Sequence, residues 1–217
     1  YFDNAATTRA MPEAVEKMAH MLCEEYGNPA SVSSMGLAVE KEIKKAAESI
    51  ARGIHCNPDE VFFTSGGTEG DNWAIYGTAE GYKRQGRHFI TTQIEHPAVK
   101  NPMKKLEEDG AEVTWLSVDR QGHISLAELE AAIRPDTVLV SVILVNNETG
   151  TVQDAAAIGK LIKEKNPQTL FHLDAVQAFG KYPIDVEKMK ADLLTMSGHK
   201  IHGPKGTGML YMRKGLK

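Results

Sequence analysis

The chain has little cysteine, few aromatic residues and no excess of positive charge. Its 217 residues include 2 cysteines and 6% aromatic residues, and the net charge is −4. Two cysteines cannot form a multi-bridge disulfide framework and are typical of a reducing compartment, so we expect a cytoplasmic protein. A negative net charge argues against a direct nucleic-acid or anionic membrane surface.

Long hydrophobic runs are also missing. The longest, Val138 to Val145, is far shorter than a membrane span and contains Ser141. Hydrophobic residues make up 41% and charged residues 25%, which is the composition of an ordinary globular domain.

Short apolar runs alternate with amphipathic segments along the chain. Apolar residues three or four apart predict helices over 12–25, 36–52 and 154–165, and Pro97 and Gly110 bracket a fourth over 97–109. The predicted strands are Val61–Thr64, His88–Thr92, Glu112–Leu116, Val138–Leu144, Thr169–Leu173, Asp192–Met196 and Gly208–Met212. This alternation indicates an α/β fold with a mostly parallel seven-stranded sheet flanked by helices.

Parallel sheets bind ligands at the carboxyl ends of their strands, so the residues that follow each strand are the candidates for a site. After the first strand, Ser65-Gly66-Gly67-Thr68 leads into a helix whose N-terminus suits a phosphate group. The alternative is a plain strand-to-helix turn capped by Thr68.

The other strand ends carry polar residues with equally ordinary alternatives. His96 follows the second strand, and Asn146 and Asn147 follow the fourth, where amides can bind a ligand oxygen or hold a turn. Asp174 ends a buried strand, where it needs a cationic partner. Lys200 follows the sixth, and a desolvated lysine becomes nucleophilic.

Together these residues predict one ligand, pyridoxal 5′-phosphate (PLP). In this hypothesis Lys200 forms a Schiff base and Asp174 keeps the pyridine nitrogen protonated. His96 stacks on the ring, and Asn147 and Gln177 reach its phenolic oxygen. In the same hypothesis the phosphate is bound at the helix N-terminus after the first strand, by Gly67 and Thr68, together with Ser197 and His199.

Seven motifs give the chain a resemblance to class V aminotransferase-fold enzymes, and most closely to the cysteine desulfurases. They are YFDNAATT (1–8), GNPAS (27–31), FTSGGTEGDN (63–72), IEH (94–96), VNNETGTVQ (145–153), HLDAVQAFGK (172–181) and SGHKIHGPKGTGMLY (197–211). One departure is Ser33, where the family pattern usually has a histidine.

The resemblance implies a fold-type I PLP-dependent transferase large domain over residues 16–217. Residues 1–15 are then an N-terminal segment that packs with a small domain and the active site, and the small domain itself is expected to lie outside this chain. Lys200 and His96 are the implied catalytic residues, and Asn147 is also placed near the substrate.

The implied activity takes sulfur from L-cysteine, releases alanine and passes a persulfide to a sulfur-acceptor or iron–sulfur scaffold protein, or toward thiolated tRNA. Family members are homodimers. The chain is interpreted as a truncated enzyme whose activity by itself stays open. The alternatives are a selenocysteine lyase, a cysteine sulfinate desulfinase or a non-catalytic PLP-binding partner subunit.

The reaction also needs a nucleophilic cysteine, and neither cysteine of this chain suits that role. Cys23 lies in a predicted helix and Cys56 follows the next one, so both are better explained as core or surface residues. His20 with Cys23, or His199 with His202, could contribute two metal ligands, but two do not make a zinc site. We therefore expect no metal.

Overall fold

The computed structural model describes residues 1–216, in which helices cover both faces of one sheet. The strands are β1 Val61–Thr64, β2 His88–Thr92, β3 Glu112–Leu116, β4 Thr137–Ile143, β5 Leu170–Asp174, β6 Leu193–Ser197 and β7 Gly208–Met212. The helices are α1 Pro12–Cys23, α2 Ser34–Ile54, α3 Gly67–Gly81, α4 Pro97–Glu108, α5 Leu126–Ala132 and α6 Ala155–Lys165. Single 3-10 turns span Pro58–Glu60 and Gly198–Lys200.

The seven strands form one sheet in the order β1-β7-β6-β5-β4-β2-β3. β7 is antiparallel to both of its neighbours, and the other strand pairs are parallel. The predicted mostly parallel seven-stranded α/β sheet is confirmed. All seven residues of β4 are buried, as expected for a strand covered on both faces.

Two apolar clusters hold the helices to the sheet. One contains Ile54 of α2 and Ile158 of α6, and the other contains Ile75 of α3 and Val99 of α4. Burial of such side chains contributes about 1.5–3 kcal/mol each. The sheet therefore has a helical layer on each face, and its carboxyl edge remains accessible.

Most predicted elements are confirmed, with small shifts at their ends. β4, β5 and β6 are each displaced by one residue from the prediction, so Asp174 and Ser197 are the last residues of their strands. α5 was not predicted, although Ser125 caps it by accepting a hydrogen bond from the Glu128 amide. Ser33, the departure from the family pattern, caps α2 by accepting from the Gly36 amide at 3.0 Å.

Within residues 1–216, no helix combines the length and the apolar character needed to cross a bilayer.

Candidate active site

A cavity of about 520 Å³ opens at the carboxyl ends of the central strands. In the sheet order β2 and β4 are neighbours, but the chain continues from them in opposite directions, and such a reversal creates a crevice. The cavity is lined by every residue that the sequence proposed for the site: Gly67, Thr68, His96, Asn147, Asp174, Gln177, Ser197, His199 and Lys200. The fold thus brings together residues that lie up to 133 positions apart in the chain.

Lys200 lies on the 3-10 turn after β6 and points its amine at the beginning of the chain. Its Nζ donates to the carbonyl oxygens of Ala5 at 2.6 Å and Ala6 at 2.8 Å. Burial and the nearby charge of Lys181 lower the Lys200 pKa, with Asp174 opposing the shift. A lysine amine with a lowered pKa loses its proton more easily and becomes a better nucleophile and base.

Residues 3–8, here called the N-terminal strap, form one wall of the cavity. The strap is held to the turn after β6 because Thr8 donates to the His199 carbonyl through both its amide and its hydroxyl, at 2.9 Å each. Thr7 adds a hydrogen bond of 2.9 Å between its Oγ1 and His199 Nδ1. Gln177 Nε2 also donates to the Ala5 carbonyl at 2.7 Å, so the strap is fixed to two strand ends.

The N-terminus of α3 forms another wall. The N-cap is Gly66, which has no side chain that could accept hydrogen bonds from the first amides of the helix. The alternative prediction, that Thr68 caps this helix, is therefore wrong. Gly67 is required by close packing, since a Cβ there would lie 2.6 Å from Val176 Cγ2. Uncapped first-turn amides carry the positive end of the helix dipole and are suited to an anion such as phosphate.

Ser197 and His199 lie next to this helix end. Together with Gly67, Thr68 and Lys205 they also line a shallower recess of about 360 Å³. Glu69 is the acidic residue at this end, and it accepts a hydrogen bond from the Ser65 amide at 2.5 Å. Amides, a hydroxyl, an imidazole and a lysine thus line one recess, together with the Glu69 carboxylate.

Asp174 forms part of the cavity wall at the end of β5. The residue is 2% exposed, and its Oδ1 accepts one hydrogen bond, from the Val176 amide at 3.0 Å. Burial raises the pKa of Asp174 to about 6, and the charge of Lys200 opposes that shift. A buried carboxylate with so little compensation is suited to a cationic ligand.

His96 is the N-cap of α4. Its Nδ1 accepts a hydrogen bond from the Ala98 amide at 3.1 Å, which leaves the proton of the neutral ring on Nε2. Burial and the charges of Lys200 and Lys100 lower the His96 pKa. The site therefore contains a neutral, flat ring with a fixed tautomer.

The two asparagines after β4 divide the roles that the sequence left open. Asn146 holds the turn: its Nδ2 donates to the Ile94 carbonyl, and its Oδ1 accepts from the amides of Glu148 and Thr149, each at 2.9 Å. Asn147 lines the cavity. The hydrogen bonds of Asn146 thus fix the turn from which Asn147 reaches the cavity.

The sequence interpretation missed Asp71 and the strap carbonyls. Asp71 lies in the first turns of α3, is 1% exposed and lines the cavity. In the sequence, Asp71 is marked only by its position four residues after the Gly66-Gly67 pair. An aspartate at that position is equally typical of an exposed first turn of a helix. Ala5 and Ala6 act through backbone carbonyls, so their side chains carried no signal.

Neither cysteine lines the cavity. Cys23 is an exposed residue at the end of α1. Burial and the charge of Glu60 raise the pKa of Cys56 to about 11, which leaves its thiol protonated and weakly reactive.

Three known proteins show what the chain resembles. It is 52% identical over 215 residues to a protein of Neisseria meningitidis serogroup C named cysteine desulfurase IscS, covering 99% of this chain and 53% of that protein. A solved structure titled NifS-like protein aligns with a TM-score of 0.97 and 44% identity, covering 100% of this chain and 59% of that one. A third, titled SspA in complex with cysteine, aligns with a TM-score of 0.95 and 41% identity, covering 99% and 61%.

The chain spans about half the length of the relatives that it matches. The match to a family is nevertheless complete, because residues 1–217 fit the model of the aminotransferase class-V family. On this match, and on the fold shared with the two solved structures, the chain belongs to the aminotransferase class-V family.

Proposed function

We propose that the cavity binds pyridoxal 5′-phosphate through Lys200. The observation that carries the proposal is that a desolvated amine, a buried carboxylate and an uncapped helix N-terminus meet in one cavity. The three features match the three chemical handles of this cofactor: an aldehyde, a pyridine nitrogen and a phosphate. When bound, the cofactor supplies an electron sink for the carbanion formed at Cα of an amino acid.

Lys200 has two tasks in this proposal. Its amine would hold the cofactor covalently, and as a free amine its Nζ would be the base for the proton on the substrate Cα. A lysine suits the second task because its lowered pKa brings the base closer to neutral pH. The strap carbonyls of Ala5 and Ala6 orient the free amine within the cavity.

Asp174 and His96 would hold the ring of the cofactor, Asp174 at the ring nitrogen and His96 by stacking. The Asp174 carboxylate provides the negative charge for a protonated ring nitrogen, and the neutral His96 ring offers a stacking surface with a donor at Nε2. Asn147 and Gln177 offer amide donors for the phenolic oxygen, and Asn147 also reaches the substrate. The α3 amides, Ser197 and His199 bind the phosphate.

The proposed reaction is cysteine desulfuration, giving alanine and a persulfide. Its support is the 52% identity to a protein named cysteine desulfurase, and a solved relative whose title describes a complex with cysteine. The attacking thiolate must break the substrate C–S bond and form an S–S bond. Because neither Cys23 nor Cys56 lines the cavity, we assign that thiolate to neither residue.

The proposal also includes the surroundings of the enzyme. We infer a homodimer in the cytoplasm that passes sulfur to an acceptor or iron–sulfur scaffold protein. The division into an N-terminal segment of residues 1–15 and a large domain of residues 16–217 stays a prediction.

Product analysis tests the reaction. The purified protein is supplied with PLP and, in parallel, with L-cysteine, L-selenocysteine or L-cysteine sulfinate, and alanine is measured. A desulfurase releases alanine from L-cysteine, whereas preference for either of the other substrates indicates the lyase or the desulfinase. Covalent cofactor on Lys200 without any alanine would instead identify a non-catalytic PLP-binding subunit.

A matched pair of variants controls for non-specific chemistry. Lys200→Ala should abolish alanine release. Lys181→Ala removes the neighbouring amine, which donates to Gln177 Oε1 at 3.3 Å, and should keep the cofactor link. Equal loss in both variants would contradict the assignment of Lys200.

A further inference from the structure

Two acids beside Asp174 have no part in the proposed chemistry, and each has one oxygen without a partner. Within residues 1–216 only two buried side-chain oxygen or nitrogen atoms lack a hydrogen-bond partner, Asp71 Oδ1 and Glu95 Oε2. Their residues are 1% and 3% exposed. Buried polar atoms without partners are rare in proteins, so two such atoms at one place need an explanation.

The sheet register places these acids on either side of Asp174. Asp174 of β5 pairs with Ile143 of β4 and with Thr195 of β6. Glu95 Oε1 accepts the Ile143 amide at 2.9 Å, and the Thr195 side chain lies beside the Asp71 carboxyl. The two strand neighbours of Asp174 thus each lie next to one of the two acids.

Each acid has a buried oxygen that receives no donor. Glu95 Oε1 accepts from Ile143 and also from the Thr92 hydroxyl at 2.6 Å, while Oε2 accepts nothing. Asp71 Oδ1 likewise accepts nothing. A buried carboxyl group with so few donors costs much less free energy when it is neutral than when it is ionised.

A hydrogen-bonded chain behind Asp71 is consistent with this pattern. His172 lies within hydrogen-bond distance of two hydroxyls, Ser141 Oγ from Nδ1 at 2.8 Å and Thr195 Oγ1 from Nε2 at 3.0 Å. Each ring nitrogen of His172 thus has a hydroxyl partner, and the neutral ring needs no carboxylate beside it. Burial lowers the His172 pKa to about 3, which keeps the ring neutral.

The charges that face the cluster do not compensate three carboxylates. Asp71 faces Asp174 and Glu95, and His172 Nε2 lies 3.6 Å from its Oδ1. Lys100 faces Glu95, and Lys200 faces Asp174, both as distant charges without a salt bridge. Burial and the neighbouring acids raise the pKa of Asp71 well above its usual range and that of Glu95 to about 8.

We propose that Asp71 and Glu95 are both protonated at neutral pH, and that these two positioning residues leave Asp174 as the only ionised acid of the three. Asp71 and Asp174 both line the cavity, and of these two only Asp174 is then charged. The two protonation states are proposed for the protein without cofactor. Their consequence for a bound ring nitrogen rests on the proposed function.

Carboxyl-carbon NMR tests the proposal directly. The protein is labelled with ¹³C at aspartate and glutamate, and the side-chain carboxyl carbons are assigned through bonds, so no variant has to fold. At pH 7 the Asp71 and Glu95 carbons should resonate at the position of a protonated carboxyl. Asp192 is the internal control: it is also 1% exposed, but Lys163 and Arg213 pair with it, so its carbon should be in the ionised position.

Two results would overturn the proposal. One is an ionised Asp71 together with an imidazolium signature for His172 in ¹⁵N spectra, which would mean a buried ion pair instead of a neutral acid. The other is an ionised Glu95 at pH 7. Asp71→Asn and Glu95→Gln check the assignments, since each should remove one protonated signal and leave the other in place.

Addition of PLP separates this proposal from the proposed function. The Asp174 carbon should then titrate at lower pH, while the Asp71 and Glu95 carbons keep the protonated position at pH 7. A protein that fails to take up PLP would refute the proposed function and leave the two protonation states standing. Ionisation of Asp71 or Glu95 when PLP binds would refute the claim that Asp174 is the single anion.

Discussion

A buried aspartate lies at each end of the sheet, and the two differ in how many cations and donors surround them. Asp192, just before β6 at the amino end, accepts from Lys163 at 2.5 Å, from Arg213 at 2.7 Å and from the Phe171 amide at 2.8 Å. Asp174, at the carboxyl end of β5, accepts one amide and is reached by no salt bridge in the described part of the chain. Both are almost fully buried.

The difference distinguishes an acid whose charge is compensated within the protein from one whose charge is not. A buried carboxylate is tolerated when cations and donors replace its lost hydration. Asp192 has that replacement within the protein. Asp174 lacks it, so a cationic ligand would complete its surroundings, and burial alone does not distinguish the two residues.

At pH 7 the largest change in stability from one substitution is expected at the paired end. Asp192→Asn removes the buried carboxylate that accepts from Lys163 and Arg213 and should lower the free energy of unfolding by about 3 kcal/mol. Asp71→Asn replaces a neutral acid with a neutral amide and should cost less than about 1 kcal/mol. Urea denaturation at pH 7 measures both, and the reverse order would break the comparison.

The second effect is a pH dependence at Glu95. Its folded-state pKa is raised to about 8 from 4.5, so between these values the folded protein binds a proton that the unfolded chain has lost. The stability contributed by Glu95 is therefore complete below pH 4.5 and is lost as pH rises to about 8, with a slope of up to about 1.4 kcal/mol per pH unit.

Glu95→Gln cannot ionise and should lack this slope. Urea denaturation of both proteins from pH 5 to pH 9 should show the variant gaining on the wild type until about pH 8 and then staying level. Parallel profiles over that range would mean that Glu95 is ionised in the folded protein.

The smallest change in stability is expected at His96, where a cap and a ligand-facing ring share one side chain. His96→Asn retains a good N-cap for α4 and should change the free energy of unfolding by less than about 1 kcal/mol. Cofactor affinity should fall because the ring is lost. His96→Ala is the matched control, which loses the cap as well. A large destabilisation by asparagine would show that the ring acts mainly in packing.

Patterns within a segment were readable from the sequence, whereas hydrogen-bond partners were not. The strands followed from β-branched runs, and the residues at their ends predicted which side chains line the cavity. Thr68 was an equally good cap by residue type, but the N-cap of α3 is two residues earlier, at Gly66. Which of Asn146 and Asn147 holds the turn depended on the distant Ile94 carbonyl.

Asp71 shows the limit most clearly. Asp71 is buried because α3 packs closely against β6. The approach is so close that a Cβ on the preceding residue, Gly70, would lie 2.6 Å from Thr195 Cγ2. That approach involves residues more than 120 positions apart, so no local pattern reveals it. The same holds for the strap, whose contacts with Lys200 are made by backbone atoms.

The central claim is that Lys200 carries the cofactor. Incubation with PLP, reduction with borohydride and peptide mapping by mass spectrometry test it in one step. We expect one modified peptide, labelled at Lys200, and no label in Lys200→Ala. Label on Lys181 or Lys205 in the wild type, or a Lys200→Ala protein that is still labelled in the cavity, would contradict it.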